Sequence, residues 1–165
     1  MKKLNILKSI VDCVLIVLST FFLFVIILSI LFILDSEILK IAGKPLLNGI
    51  KIIGIWEKIV LMISLANSAL ILYILFNFKI LLENFLEKLI FEIETCILLN
   101  RIGKLIIYSS FINILSELIL KLSKSEIGFS FSSFLYGLSM GLFFLVLAEV
   151  FKMAKDLKEE NELTI

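Results

Sequence analysis

The sequence predicts an all-α integral membrane protein in which four transmembrane helices form an antiparallel bundle. The first observation is three uncharged apolar runs, at 13–34, 59–78 and 127–148. Each run is long enough to cross the roughly 30 Å hydrocarbon core of a bilayer as a helix. The second observation is that 61% of the residues are hydrophobic, whereas soluble domains contain roughly 45–50% apolar residues. We therefore expect one membrane domain over residues 1–165, surrounded by lipid.

The predicted spans cover about 11–34, 59–78, 102–122 and 130–151. The third span is the least apolar because it contains Glu117, and a carboxylate inside the bilayer costs about 2.5–3.5 kcal/mol. Each Leu, Ile or Phe around it returns about 0.3–0.6 kcal/mol. Lys121 follows four residues later, where it can pair with Glu117 on one helix face. We therefore retain this segment as a span.

Residues 80–100, between the second and third spans, are predicted to form an amphipathic helix. The apolar positions recur at helical spacing and are Leu82, Phe85, Leu86, Leu89, Ile93, Cys96 and Ile97. The opposite positions are polar and are Glu83, Asn84, Glu87, Lys88, Glu94 and Thr95. A helix with this many charges does not cross the membrane; it lies on the cytoplasmic membrane surface or extends the second span into water. It would serve as a connection between spans or as a docking face for a cytoplasmic partner.

Lys and Arg residues are more numerous in the N-terminal segment, the second loop and the tail than in the first and third loops. Cytoplasmic loops of membrane proteins carry this excess. The distribution predicts a multi-pass protein of the plasma membrane with both termini in the cytoplasm.

Small and polar residues within the spans are candidates for contacts between helices. Ser133, Gly137 and Gly141 are spaced by four in the fourth span and would let another helix approach closely. They would pack within the monomer or form the seam of a homo-oligomer. Asn67 and Asn113 lie near the middle of neighbouring antiparallel spans, which predicts a hydrogen bond between them.

Glu149 follows the small residues at the predicted cytoplasmic end of the fourth span. Asp12 is expected at similar depth in the first span, and Arg101 and Lys104 at similar depth in the third. One interpretation is a charge network that fixes the helix ends. The other is a carboxylate that acts as a proton-coupled switch.

The sequence argues against an enzyme. It contains no His, which excludes a His general base and His metal ligands. Cys13 and Cys96 lack the CxxC spacing of a metal or redox motif. A glycine-rich phosphate loop is also missing. We therefore predict no catalytic residue, no cofactor and no metal site.

The C-terminal part carries the most specific motif of the chain. Residues 136–151 read YGLSMGLFFLVLAEVF, and residues 159–165 read EENELTI. This pattern resembles the end of a bacterial membrane family called domain of unknown function 2975. The resemblance implies four spans in the inner membrane. Such proteins are often encoded beside a small helix-turn-helix regulator, which implies a regulatory or sensory role as the membrane partner of that transcription regulator.

Two classes of function follow. In the first, the acidic tail, with Asp156, Glu159, Glu160 and Glu162, binds a basic surface of the regulator, and the protein itself does not contact nucleic acid. In the second, the chain is a small transporter or channel subunit, or an immunity-type membrane protein. Asn67, Asn113 and Glu117 would then form the polar core of its path.

Overall fold

The computed structural model describes residues 2–42, 55–124 and 131–163, and these residues contain helices and no β-strand. The four helices are α1 (Lys2–Ala42), α2 (Ile55–Leu86), α3 (Ile93–Lys124) and α4 (Phe131–Leu163). Each contains a segment long and apolar enough to cross a membrane. The prediction of four helices long and apolar enough to cross a membrane is therefore confirmed. The helices are longer than the spans because polar turns continue each of them beyond the apolar run.

The helices pack in the order of the chain. α1 packs against α2, α2 against α3, and α3 against α4, and the α3–α4 pair has the most extensive interface. Within the described ranges, the backbone of α1 approaches neither α3 nor α4. Among the described residues, α2, α3 and α4 therefore share a core, and α1 lies outside it on α2. Lipid solvates apolar side chains as well as protein does, so α1 gains little by moving inward.

The shared core lies at the end of the molecule where α2 is connected to α3, here called the turn end. Its buried residues come from three helices and are Leu81, Leu98, Leu99, Ile102, Phe144 and Ala148. The ring of Phe78 meets the edge of Phe144 at 6.4 Å between centroids, and Phe85 stacks on Phe151 at 5.9 Å. Aromatic pairs in these geometries add stability beyond their buried area. The turn end is therefore where α2, α3 and α4 are held together.

The predicted amphipathic helix over 80–100 is wrong as a continuous helix. α2 ends at Leu86, and Lys88 has a left-handed φ of 63°. The amide of Leu89 donates to the carbonyl of Asn84 at 2.9 Å, and the amide of Lys88 donates to the carbonyl of Phe85 at 3.3 Å. This pair of bonds is the Schellman motif that ends many helices. The periodicity of residues 80–100 therefore comes from two helices joined by a tight turn.

Glycines set the distance between α3 and α4. A Cβ atom at Gly103 would lie 2.8 Å from the carbonyl oxygen of Gly141, and one at Gly141 would lie 2.9 Å from the carbonyl oxygen of Gly103. A Cβ at Gly137 would meet the hydroxyl of Ser110. The interpretation that Gly137 and Gly141 pack within the monomer is confirmed. Ser133, the third residue of the predicted stripe, is exposed.

Candidate functional site

A polar cluster lies between the middle parts of α2 and α3. The Asn67 side-chain amide donates to Asn113 Oδ1 at 2.8 Å, and the Ser109 hydroxyl donates to Asn67 Oδ1 at 2.9 Å. The predicted hydrogen bond between the two asparagines is therefore confirmed. Asn67 is only 4% exposed, and both ends of its side chain are bonded within the protein. In lipid, where water is absent, such a cluster fixes how α2 packs on α3.

A second buried amide lies closer to the turn end. Asn77 is 1% exposed, and its side-chain nitrogen donates to the carbonyl of Tyr73 at 2.7 Å. Neither Asn77 nor Ser109 was among the residues predicted to make contacts between helices. The same sequence pattern could have identified both residues: each is a polar side chain inside an apolar run. A helix in lipid buries such a side chain against a neighbouring helix.

Two ion pairs join α1 to α2 at the turn end. Lys8 Nζ lies 3.0 Å from Glu83 Oε1, and Lys79 Nζ lies 2.8 Å from Asp12 Oδ1. On each helix the two partners are four residues apart and opposite in sign, so the pairs occupy adjacent turns of two antiparallel helices. Asp12 therefore pairs with α2.

The part of the predicted charge network that placed Asp12 near Glu149 is wrong, because α1 and α4 are not neighbours within the described residues. The Glu149 side chain is 61% exposed, and its Oε1 lies 3.9 Å from Lys152 Nζ. A switch role for Glu149 stays a prediction. The other predicted carboxylate pair is confirmed, since Glu117 Oε1 accepts from Lys121 Nζ at 2.8 Å.

Thr95 connects the start of α3 to the turn. Its side chain was expected on a polar surface, but the residue is fully buried. The Thr95 hydroxyl donates to the carbonyl of Leu89 at 2.8 Å and accepts a longer bond from the side-chain amide of Asn84 at 3.4 Å. The end of α2, the turn and the first turn of α3 therefore form one hydrogen-bonded unit.

α4 continues past this turn. The ring of Phe151 contacts Phe91 of the turn, with centroids 5.9 Å apart, and Lys155, one turn later, still lies within electrostatic range of Glu92 in the turn. From Phe151 to Leu163 the helix rises by about 18 Å. We call residues 152–163 the α4 extension. Two apolar side chains on it, Met153 and Leu157, are 58% and 60% exposed.

Within the described ranges, no group of three or more Cys, Asp or Glu side chains is arranged to hold a metal ion. Four charged side chains of the turn end instead form two pairs, Lys8 with Glu83 and Lys79 with Asp12. These ion pairs can hold the helices together, and the outer faces of the helices can contact lipid and other macromolecules.

Four membrane-spanning helices, joined by close glycine contacts and buried amides, define a small multi-pass α-helical membrane protein. The chain belongs to the family described as "Protein of unknown function (DUF2975)", whose family model matches residues 13–165. The resemblance found in the C-terminal motif is therefore confirmed. Comparison with curated proteins found no match, and comparison with solved structures found none either.

Proposed function

We propose that this protein is a non-enzymatic regulatory or sensory component of the plasma membrane, with both termini in the cytoplasm. Its α4 extension binds a cytoplasmic protein, and the helix-turn-helix regulator implied by the family resemblance is the proposed partner. The observation that carries the proposal is an exposed apolar face of α4 that continues beyond Phe151, which contacts the turn between α2 and α3.

The apolar face is continuous along α4. Val146, Val150, Met153 and Leu157 are all more than half exposed and follow each other at spacings of three or four. They lie opposite the side that packs on α3, where Ala148 is buried. Lipid covers this face along the span. Met153 and Leu157 lie past Phe151, where an apolar stripe on a helix is typical of a segment that docks in a partner's groove.

Acidic residues accompany this stripe on the extension. Asp156 is exposed and directly precedes Leu157, whereas the exposed Glu159 lies on another face of the helix and pairs with Lys155 at 2.7 Å. Carboxylates beside apolar anchors favour a partner with a basic surface, because complementary charge speeds encounter and selects among partners. DNA-binding proteins carry such surfaces. The charge of the extension therefore supports a regulator as the partner.

The proposal is tested by co-purifying the protein in detergent with a helix-turn-helix regulator of the kind that the family resemblance implies. Met153→Ser combined with Leu157→Ser removes both apolar anchors, and we expect the affinity to fall at least about tenfold. The matched control is Lys152→Gln with Lys158→Gln, which changes two side chains of the same extension outside the apolar stripe and should retain binding. Binding that survives loss of both anchors would contradict the proposal.

A transporter, channel or immunity role has less support. The buried polar cluster would line a path only with free hydrogen-bonding groups, and the amide of Asn67 is engaged at both ends by Asn113 and Ser109.

A further inference from the structure

The outward side of α3 carries a groove that the packing of the helices leaves open. Its volume is about 380 Å³, and it is lined by Ile97, Asn100, Arg101, Lys104, Leu105 and Tyr108. These positions follow each other at spacings of one, three or four and form one face of the helix. The opposite face, with Leu99 and Ile102, is buried in the core. The groove therefore faces away from the other helices, toward the medium around the protein.

The depth of the groove follows from the register of the helices. The hydrogen bonds from Asn67 to Asn113 and from Asn84 to Thr95 place Lys79 level with Asn100. Lys79 forms the ion pair with Asp12, so charged groups of α1 and α2 lie at the same level.

The second boundary of the span lies at the other end of α3, where Glu117 pairs with Lys121. Between Asn100 and Lys121 the helix rises by about 32 Å, close to the thickness of the hydrocarbon core. Asn100 and Arg101 thus lie at one boundary of the bilayer. Lys104 lies about one turn deeper, from where its long side chain reaches back to the boundary.

The two cations of the groove have no partner in the part of the chain that the structure describes. Lys8, Lys79, Lys121, Lys152 and Lys155 each pair with a carboxylate at 2.7–3.9 Å. No such pair involves Arg101 or Lys104, although both are exposed. Both side chains are long enough to keep their charge in the hydrated interface at this boundary, where they attract anions. The anion that a bilayer supplies at this depth is the phosphate of a lipid headgroup.

We propose that this groove binds an anionic phospholipid in the leaflet at the turn end. Arg101 and Lys104 hold the headgroup phosphate, the guanidinium through paired hydrogen bonds and the ammonium as a point charge. The Asn100 amide is a further donor at the same level. Leu105, one residue deeper than Lys104, receives the start of an acyl chain.

Tyr108 adds a feature that a site for free phosphate would not need. It is 59% exposed and lies one turn deeper than Lys104 in the same groove. Helical side chains lean toward the N-terminus of their helix, which directs the Tyr108 hydroxyl toward the boundary. That hydroxyl reaches the level of the lipid ester groups, just below the phosphates. The groove therefore places its cations at the level of the phosphate, the Tyr108 hydroxyl at the level of the ester groups and its apolar side chains at the level of the acyl chains. This inference is independent of the proposed function of the α4 extension.

The test is native mass spectrometry of the full-length protein, released from detergent after titration with phosphatidylglycerol or with phosphatidylcholine of the same acyl chains. We expect phosphatidylglycerol to bind more tightly. Each membrane-surface cation contributes about a fivefold change in affinity for anionic lipid, so Arg101→Gln with Lys104→Gln should weaken binding about thirtyfold. Each single substitution should weaken it about fivefold, which preserves the test if the double variant folds poorly.

The control is Lys152→Gln with Lys158→Gln, which removes the same number of charges outside the groove and should leave phosphatidylglycerol binding unchanged. Tyr108→Phe should weaken binding of both lipids by a smaller factor. Equal binding of both lipids by the unaltered protein would overturn the proposal. Competition by millimolar inorganic phosphate would also overturn it, since it would identify a soluble anion as the ligand. A doubled mass that depends on Arg101 and Lys104 would assign the groove to a second copy of the chain instead.

Discussion

Replacement of Gly103 by Ala tests the close approach of α3 and α4. The new Cβ would lie 2.8 Å from the carbonyl oxygen of Gly141, whereas ordinary contacts between such atoms begin near 3.4–3.5 Å. The helices must therefore separate locally by about 0.6 Å, because a backbone oxygen has no rotamer that removes it. Overpacking of this kind costs about 1–3 kcal/mol, and the higher helix propensity of Ala offsets at most about 1 kcal/mol. We expect the free energy of unfolding to fall by about 1–2 kcal/mol.

The measurement is reversible unfolding in mixed micelles by titration with SDS, followed by energy transfer between dyes on the outer faces of α3 and α4. Gly137→Ala is the informative comparison, because its nearest contact is the Ser110 hydroxyl, which can rotate away, and the Ser110 Cβ at 3.0 Å then requires only a small shift. Its cost should be below about 1 kcal/mol. Ser139→Ala, on the exposed side of α4, should change stability by less than about 0.5 kcal/mol. A Gly103→Ala protein as stable as the unaltered one would refute the reasoning.

Three other predictions concern buried polar groups and the turn. A double-mutant cycle with Asn67→Ala and Asn113→Ala should give a coupling energy of about 0.5–1.5 kcal/mol, and a value near zero would mean that their bond contributes nothing. Thr95→Val keeps the side-chain shape but leaves the Leu89 carbonyl without its donor, so stability should fall by about 1–2 kcal/mol, whereas Thr95→Ser should retain most of it. Lys88→Gly should raise the melting temperature in detergent, because glycine adopts a φ of 63° without the roughly 1 kcal/mol penalty of other residues; a lowered melting temperature would show that the Lys88 side chain stabilises the turn.

The parts of the fold that depend on one helix or on one neighbouring pair could be predicted from the sequence. The length of the apolar runs indicates the spans, since the bilayer fixes how long a crossing helix must be. Gly137 and Gly141 indicate close packing, and Asn67 and Asn113 lie at matching depths of consecutive spans. These inferences need only helix geometry and the cost of a polar group in lipid.

The missed features depend on which surfaces meet. Asp12 pairs with Lys79, and not with the region of Glu149, because the identity of its neighbouring helix is a property of the whole assembly. The turn after α2 could not be predicted from the sequence, because Lys88 occupies the left-handed position at which a glycine usually indicates the end of a helix. The apolar spacing of residues 80–100 is also the same for one continuous helix as for the ends of two helices joined by a tight turn. Periodicity alone therefore could not distinguish these two structures.

The central claim, four crossings with the turn end in the cytoplasm, is tested most directly by cysteine accessibility in intact cells. Cys13 and Cys96 are first replaced by Ser, and single cysteines are then introduced at Ile55, Lys88 or Leu157. A membrane-impermeant maleimide should label Ile55→Cys in intact cells, and should label Lys88→Cys and Leu157→Cys only after the membrane is permeabilised. Labelling of Lys88→Cys or Leu157→Cys in intact cells would contradict the account.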